Sequence, residues 1–368
     1  MFAYVIRRLL LIIPTLFGII LINFLVIQCA PGGPIEQIIA DLENPNASVT
    51  SRISDASAGE GGSDLGGVMG TGSETRYRGA EGLPEDFIAR LEEQFGFDKP
   101  LWERFFLMIG KYLRFDFGTS YFRDETVVGL VIEKMPVSIS LGLCTTIIVY
   151  LISIPMGVGK AIWDGSPFDV WTSAVVIIGN AIPAFIFAVM LIVLFAGGSY
   201  WEWFPLRNLV SENHEEMSFL RQILDRIHHL VLPVFAMVIG GFAALTFLTK
   251  NSFIDQINQQ YVMTARAKGL REPRVLFGHV FRNAMLIVIA GFPAAFVGIL
   301  FTGSLLIEII FSLDGLGYLG FEAVLKRDYP VMFATLYFFT LLGLVMNLVG
   351  DLTYTFVDPR IDFESRAT

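Results

Sequence analysis

Charge is scarce in this chain. Asp, Glu, Lys and Arg make up 17% of its 368 residues, against 54% hydrophobic residues. Soluble domains carry about 25% charged residues, so a soluble globular fold is disfavoured and a membrane protein is expected. The mean hydropathy of +0.61 points the same way. What charge exists runs acidic, 26 Lys and Arg against 35 Asp and Glu, a net −9 that excludes a nucleic-acid binder. Cysteine is almost missing. Cys29 and Cys144 each lie inside an apolar run, which excludes a disulfide framework and a cysteine metal site and reads as two small buried hydrophobes. Catalytic signatures are lacking too: there is no GxxxxGK[ST], no GxSxG, no HExxH and no pair of acids on an apolar run. Nothing here composes a catalytic or metal site. His214, His228 and His229 have no cysteine partner and read as solvated groups at a membrane interface.

What the chain does have is long runs free of Asp, Glu, Lys and Arg, at 9–35, 135–159, 170–201, 227–249, 283–307 and 329–350. A helix needs about 20 apolar residues to cross the hydrocarbon core. These runs predict an all-α membrane protein with six transmembrane helices and both termini on one side. Positive charge selects the side. The N-terminus, the 160–169 and 250–282 loops and the tail carry Arg7, Arg8, Lys160, Lys250, Arg266, Lys268, Arg271, Arg274, Arg282, Arg360 and Arg366. The short opposite loops carry Arg207, Arg221, Arg226, Lys326 and Arg327. Both termini are therefore expected in the cytoplasm. Arg7-Arg8 before an apolar run imitates a signal peptide, but the run is too long and "QCAPGGP" offers no small-x-small cleavage site. The first helix is expected to be retained.

The pattern divides the chain into four parts. Residues 1–35 hold the N-terminus and the first helix, 36–134 form a large external segment, 135–357 hold helices two to six, and 358–368 form a cytoplasmic tail. Within the external segment, 44–82 is rich in Gly, Ser and Ala and is expected to be a flexible loop. Residues 84–134 read as a small amphipathic helical hairpin. One helix follows Pro84 and a second carries Trp102, Phe105, Phe106, Ile109 and Leu113. Two readings of that hairpin stand: it caps the mouth of a pore or receives a partner, or it lies on the outer membrane surface.

The densest positive charge falls in the 250–282 loop, and this loop is too long for a tight turn. Residues 257–268 contain neither Pro nor Gly and favour a helix; Gly269 is a suitable left-handed stop, with Lys268 and Arg271 at the negative end of the helix dipole. Pro273 blocks continuation and can start a second helix carrying Phe277, Val280, Phe281 and Ala284 on one stripe. Thr264, Ala265, Ala267 and Gly269 are small, and Arg266 and Lys268 flank them. Such a face can admit another protein's backbone, or it can satisfy the positive-inside bias on anionic lipid. Physics alone leaves both open.

"YVMTARAKG" at 261–269 followed by "HVFRNA" at 279–284 resembles the coupling segment, or EAA loop, of ABC importer permeases of the peptide/nickel class, the DppB/OppB kind. Met263, Thr264 and Ala265 stand where that pattern has Glu-Ala-Ala, and Gly269 matches its glycine. Three more stretches are similar to the class: the N-terminal helix ending "QCAPGGP", "FTGSLLIEIIFSLDGLGYLGFEAVLKRDYPVM" from 301, and "VDPRID" at 357–362. Gly33 and Asp314 depart from the usual residues. With the Gly-rich insertion, the likeness is nearest to the YejB-type branch of peptide permeases.

The resemblance implies a type I ABC importer permease in the bacterial inner membrane, moving oligopeptides or peptide-like compounds inward. It implies a second, homologous permease, two ATPase subunits or one fused ATPase, and a periplasmic substrate-binding protein. ATP and Mg would be bound by the ATPase subunits, so this chain would be non-catalytic and hold no cofactor of its own. By position, Tyr261, Thr264, Ala265, Arg266, Ala267, Lys268, Gly269, Arg271, His279, Arg282 and Asn283 would form the ATPase-coupling site. The alternative is a standalone secondary carrier or channel, a class marked by intramembrane charges and inverted repeats. Candidates for a translocation path or permease interface are few: Glu308 at the outer end of helix five, Asn180 with Pro183, and Asn347. Asn180 with Pro183 can also bend helix three.

Overall fold

The computed structural model describes residues 2–29, 99–123, 125–198, 200–302 and 305–357. The expected loop at 44–82, the helix after Pro84 and the tail at 358–368 lie outside the described residues. Among the described residues the chain is helical, with one isolated bridge between Thr119 and Thr126. The helices are α1 (Phe2–Cys29), α2 (Leu101–Tyr112), α3 (Val127–Ile162), α4 (Pro167–Ala181), α5 (Ala184–Phe195), α6 (Phe219–Ile257) and α7 (Gln260–Ala267). They continue with α8 (Glu272–Val275), α9 (Phe281–Thr302), α10 (Leu305–Ile310), α11 (Leu316–Lys326) and α12 (Tyr329–Val357).

Among the described residues, five helices are long and apolar enough to span a membrane, or six spans when one bent pair counts as one. That pair occupies the third expected run, 170–201, which bends at the Pro183 that could bend it. α4 and α5 meet at 92°. Pro183 cannot donate a helical hydrogen bond, and its ring pushes the preceding residue out of the helical region. Ile182 accordingly sits at φ −83°, ψ 120°. The start of α4 is built as its sequence suggests: the Ser166 hydroxyl accepts from the Asp169 N–H, Pro167 opens the helix and Asp169 lies in its first turn.

The chain divides into two compact units, one comprising Met1–Ile12, Glu133–Leu319 and Phe339–Thr368, the other Ile13–Ile132 and Gly320–Phe338. In the first, α6 is the central helix, with α4, α5 and α9 packed against it. Buried side chains such as Leu141, Val149, Ala188, Ala236, Phe253 and Val288 form one core cluster.

Small residues let α3 and α6 approach closely. Val149, Ser153 and Gly157 recur every fourth residue of α3, on one stripe. The Ser153 hydroxyl donates to the Phe242 carbonyl at 3.0 Å. A Cβ on Gly157 would stand 2.6 Å from the Thr249 Cβ and 2.8 Å from the Thr246 carbonyl oxygen. Close approach through small residues is the common means of holding helices together in lipid. Gly157→Val is expected to force the pair apart and cost about 1–3 kcal/mol, read as a lower Tm of the detergent-solubilised protein. Gly110→Ala, whose added Cβ meets nothing within 4 Å, serves as the control and should not lower Tm.

The second unit has an aromatic core. Phe24 and Phe105 pack at 5.2 Å and Phe24 and Phe333 at 6.2 Å, while Tyr112, Phe117 and Tyr337 form a second group. Of the apolar residues expected on the amphipathic second helix, α2 buries Phe105 together with Tyr112, seven residues on; Trp102, Phe106 and Leu113 are exposed. That helix is apolar on two faces, and a single stripe does not describe it. Beyond α2, the Ser120 hydroxyl bonds the Asp328 carboxylate, and the Tyr121 N–H donates to the same group at 3.2 Å. Burial holds the Asp328 carboxyl above its ordinary value.

Candidate functional site

The basic loop is ordered secondary structure. α6 ends at Ile257, and Gln259 turns into extended backbone (φ −76°, ψ 151°) before α7 begins. α7 stops where the turn chemistry dictates. Gly269 takes φ +78°, its N–H donates to the Arg266 carbonyl at 2.9 Å, and the Leu270 N–H donates to Ala265 at 3.3 Å. The αL turn satisfies carbonyls that a helix end leaves open. Arg271 is extended (ψ 141°), α8 starts at Glu272 with Pro273 behind it, and a π-turn over Leu276–Val280 leads into α9. Such π-turns concentrate at functional positions.

α7 is held from behind. Val262 and Ala265 are buried with Val275, Val280 and Ala284 in the core cluster. The Ser252 hydroxyl donates to the Ala284 carbonyl at 2.7 Å, and the Phe253 and Phe281 rings meet at 5.7 Å. The loop is thereby fixed to the end of α6 and the start of α9.

The predicted coupling residues divide by this geometry. Thr264, Arg266, Ala267, Lys268, Gly269, Arg271, His279, Arg282 and Asn283 are exposed. Ala265 instead faces inward, where its small side chain lets α7 sit close to its own chain. Tyr261 is half-buried and donates its hydroxyl to Gln256 at 2.9 Å. Arg266 grips Glu272 across the turn, Nε to Oε1 at 2.9 Å and Nη2 to Oε2 at 3.2 Å. One of the two flanking cations is thus engaged within the hairpin. Two apolar side chains are exposed on this surface, Met263 and Phe277, each 64% accessible, so Phe277 departs from the stripe on which the sequence placed it with Val280, Phe281 and Ala284.

The residues proposed for a path or permease interface are placed differently. Asn180, Pro183 and Asn347 are exposed on their helices. Glu308 is not: it is fully buried within the chain. Its carboxylate accepts from the Ser138 hydroxyl at 3.1 Å and from the Tyr318 N–H at 2.7 Å, and a Cβ on Gly315 would fall 2.5 Å from it. Asp314, a departure from the family pattern, forms an ion pair with Lys134. The histidines also differ from expectation. His229 is buried, and Asp225 gathers the Ser211 N–H at 3.0 Å, the Ser211 hydroxyl and His214 Nδ1 at 2.8 Å. Of these three only His228 is exposed, bonded to the Trp203 carbonyl at 2.8 Å.

A cluster that the sequence did not suggest joins the ends of α3, α4 and α6. Lys160, fully buried, donates to Asp169 Oδ1 at 2.9 Å, to the Asp169 carbonyl at 2.8 Å, to Thr172 at 3.0 Å and to Ser173 at 2.6 Å. Lys250 reaches the same carboxylate at 2.7 Å and Asp164 at 2.8 Å. Both lysines had served only as topology markers.

A family model described as "Binding-protein-dependent transport system inner membrane component" matches residues 153–363. The chain is 58% identical over 366 residues to the inner membrane ABC transporter permease protein YejB of Escherichia coli O157:H7, covering 99% of this chain and 100% of that one. It is 58% identical over 366 residues to the peptidoglycan transport system permease protein YejB of Agrobacterium fabrum, covering 99% of each. To the oligopeptide transport system permease protein AppB of Bacillus subtilis it is 35% identical over 367 residues, covering 99% and 100%.

Proposed function

Because the chain belongs to the family of binding-protein-dependent transport system inner membrane components, we propose that it works as the permease subunit of an ATP-driven importer of oligopeptides or peptide-bearing compounds. It is a multi-pass inner membrane protein. The substrate class follows relatives named for oligopeptide and peptidoglycan transport. Peptides joined to cell-wall sugars would satisfy both names.

The observation that carries the mechanism is the exposed edge of α7. It is short, closed by a left-handed glycine, lined by small residues and fixed to α6 and α9 by buried contacts. A rigid, small-faced projection can seat in a groove of a partner without ordering itself first, which lowers the entropy lost on association. We assign the partner as the ATPase pair on the cytoplasmic side, with both termini on that side. Lys268, Arg271 and the apolar Met263 and Phe277 then meet the groove. ATP-driven closure of the ATPases would move α7, and α6 and α9 with it, switching the pore between inward-open and outward-open. A second permease completes the pore, and a binding protein delivers substrate from outside. ATP and Mg belong to the ATPase subunits, and this chain supplies motion and a path.

Purification in mild detergent followed by mass spectrometry tests the assembly. Recovery of an ATPase, a second permease and a binding protein is expected. A chain that purifies alone, and whose uptake persists on ATP depletion while following an ion gradient, would establish a secondary carrier instead.

A further inference from the structure

We propose that the Lys160–Asp169–Lys250 cluster is the strut that makes α3 and α4 move with the coupling helix, so that these residues position the pore rather than merely mark its cytoplasmic side. The proposal rests on the coupling role of α7 and goes beyond it, because none of the three residues lies in the docking segment.

The case begins with Lys160. A fully buried ammonium is costly unless every proton finds an acceptor. Lys160 has four acceptors within 3.0 Å, all on the first two turns of α4. It ties the end of α3 to the start of α4 across the 163–166 turn. Asp169 carries the link onward: its second oxygen accepts from Lys250 of α6 at 2.7 Å and from the Gly165 N–H at 3.1 Å. Lys250 closes the set by reaching Asp164 in the turn. Three helices and one turn are thus joined by charge-assisted bonds, which are stronger than neutral ones.

Position gives this cluster its use. Lys250 lies ten residues before the first residue of α7 and seven before the end of α6, about 10 Å along that helix axis. One turn before Lys160, Gly157 packs against Thr249, the neighbour of Lys250, with no room for even a β-carbon between them. A displacement entering at α7 passes into α6 and reaches, at Lys250, the bonds that hold the first turn of α4. If the cations served only to bias topology, their ammonium groups would stay in water at the interface. Lys160 is instead withdrawn completely, and Lys250 is mostly covered, its side chain 14% exposed.

The test uses the assembled importer in liposomes, with a radiolabelled protein digest as the uptake probe and phosphate release as the measure of hydrolysis. Lys250→Met keeps the volume and leaves the Lys160–Asp169 pair intact, so the fold is retained. Uptake is expected to fall at least fivefold while ATP hydrolysis stays within twofold of wild type. Lys250→Arg should restore the ratio. Unchanged uptake, a parallel fall of uptake and hydrolysis, or failure of Arg to restore coupling would each overturn the proposal. Asp169→Asn gives a second arm, with the same rise in ATP consumed per peptide expected and an unchanged ratio counting against it. Gly269→Arg examines the underlying reading separately. If that variant still holds its ATPase, the docking role of α7 is wrong, whatever Lys250 does.

Discussion

Gly269→Arg is expected to abolish uptake while leaving the protein in the membrane at normal levels. Two effects combine at this residue, and a series separates them. At φ +78° any β-carbon is strained, costing roughly 1–2 kcal/mol. Gly269→Ala should show that strain alone, because its Cβ meets nothing within 4 Å of its own chain. The α7 turn should hold, and uptake should fall only a few-fold. Arg adds a long cation at the point where a partner's surface must approach. Losing about 2.7 kcal/mol at that contact lowers ATPase affinity about 100-fold, which copurification would read directly. Normal copurification of the Arg variant would sink the docking role. Arg266 offers an internal contrast. Its pairing with Glu272 is exposed on both sides, and such pairs contribute at most about 1 kcal/mol. If Arg266 acts by closing the hairpin, Arg266→Glu should impair uptake and Arg266→Glu with Glu272→Arg should recover it. Recovery by the swap would assign contact with the partner to Lys268 and the apolar pair.

What was legible in the sequence was local. The end of α7 at Gly269 and the new start around Pro273 follow from turn chemistry, and the structure has them; of the stripe of Phe277, Val280, Phe281 and Ala284 it buries Val280 and Ala284, half-buries Phe281 and exposes Phe277. The bend at Pro183 was visible as a residue, but counting charge-free residues sees composition and not direction, so one run became two helices at 92°. What was illegible depends on partners far apart in the chain. Asp169 meets Lys250 across 81 residues, and Glu308 meets Ser138 across 170. No spacing rule connects such residues; only the packed helices do. The same limit explains the histidines. Asp225 lies 11 residues beyond His214, so the clasp appears only once the loop folds back onto the start of α6. Ala265 shows a subtler failure: small residues invite close approach, but the neighbour that approaches can be the chain itself.

Glu308 yields the second large effect, with a reversal of sign as its signature. Helix α11 begins at Leu316, and the residue before it, Gly315, has no side chain to cap it. The cap comes from elsewhere. The Ser138 hydroxyl accepts the Leu316 N–H at 2.8 Å, and the Glu308 carboxylate accepts the Tyr318 N–H at 2.7 Å. An acid at a helix N-terminus is favoured by the dipole and by the open N–H groups. It occupies the space that a Gly315 side chain would need, since a Cβ there falls 2.5 Å from the carboxylate. Glu308→Ala leaves the Tyr318 donor and the Ser138 hydroxyl short of a partner and should cost about 1–3 kcal/mol. Gly315→Asp should also destabilise the native chain, because its side chain lands on Glu308. Together the two changes should partly cancel, as Asp at position 315 caps the helix from its own Ncap position in the room that Glu308 vacates. A Tm for the double variant above that of either single one is the expected result, a coupling between neighbours that independent sites do not show. Additive losses would mean that Glu308 does not cap α11. Loss of uptake by Glu308→Ala at unchanged Tm would return the acid to the translocation path.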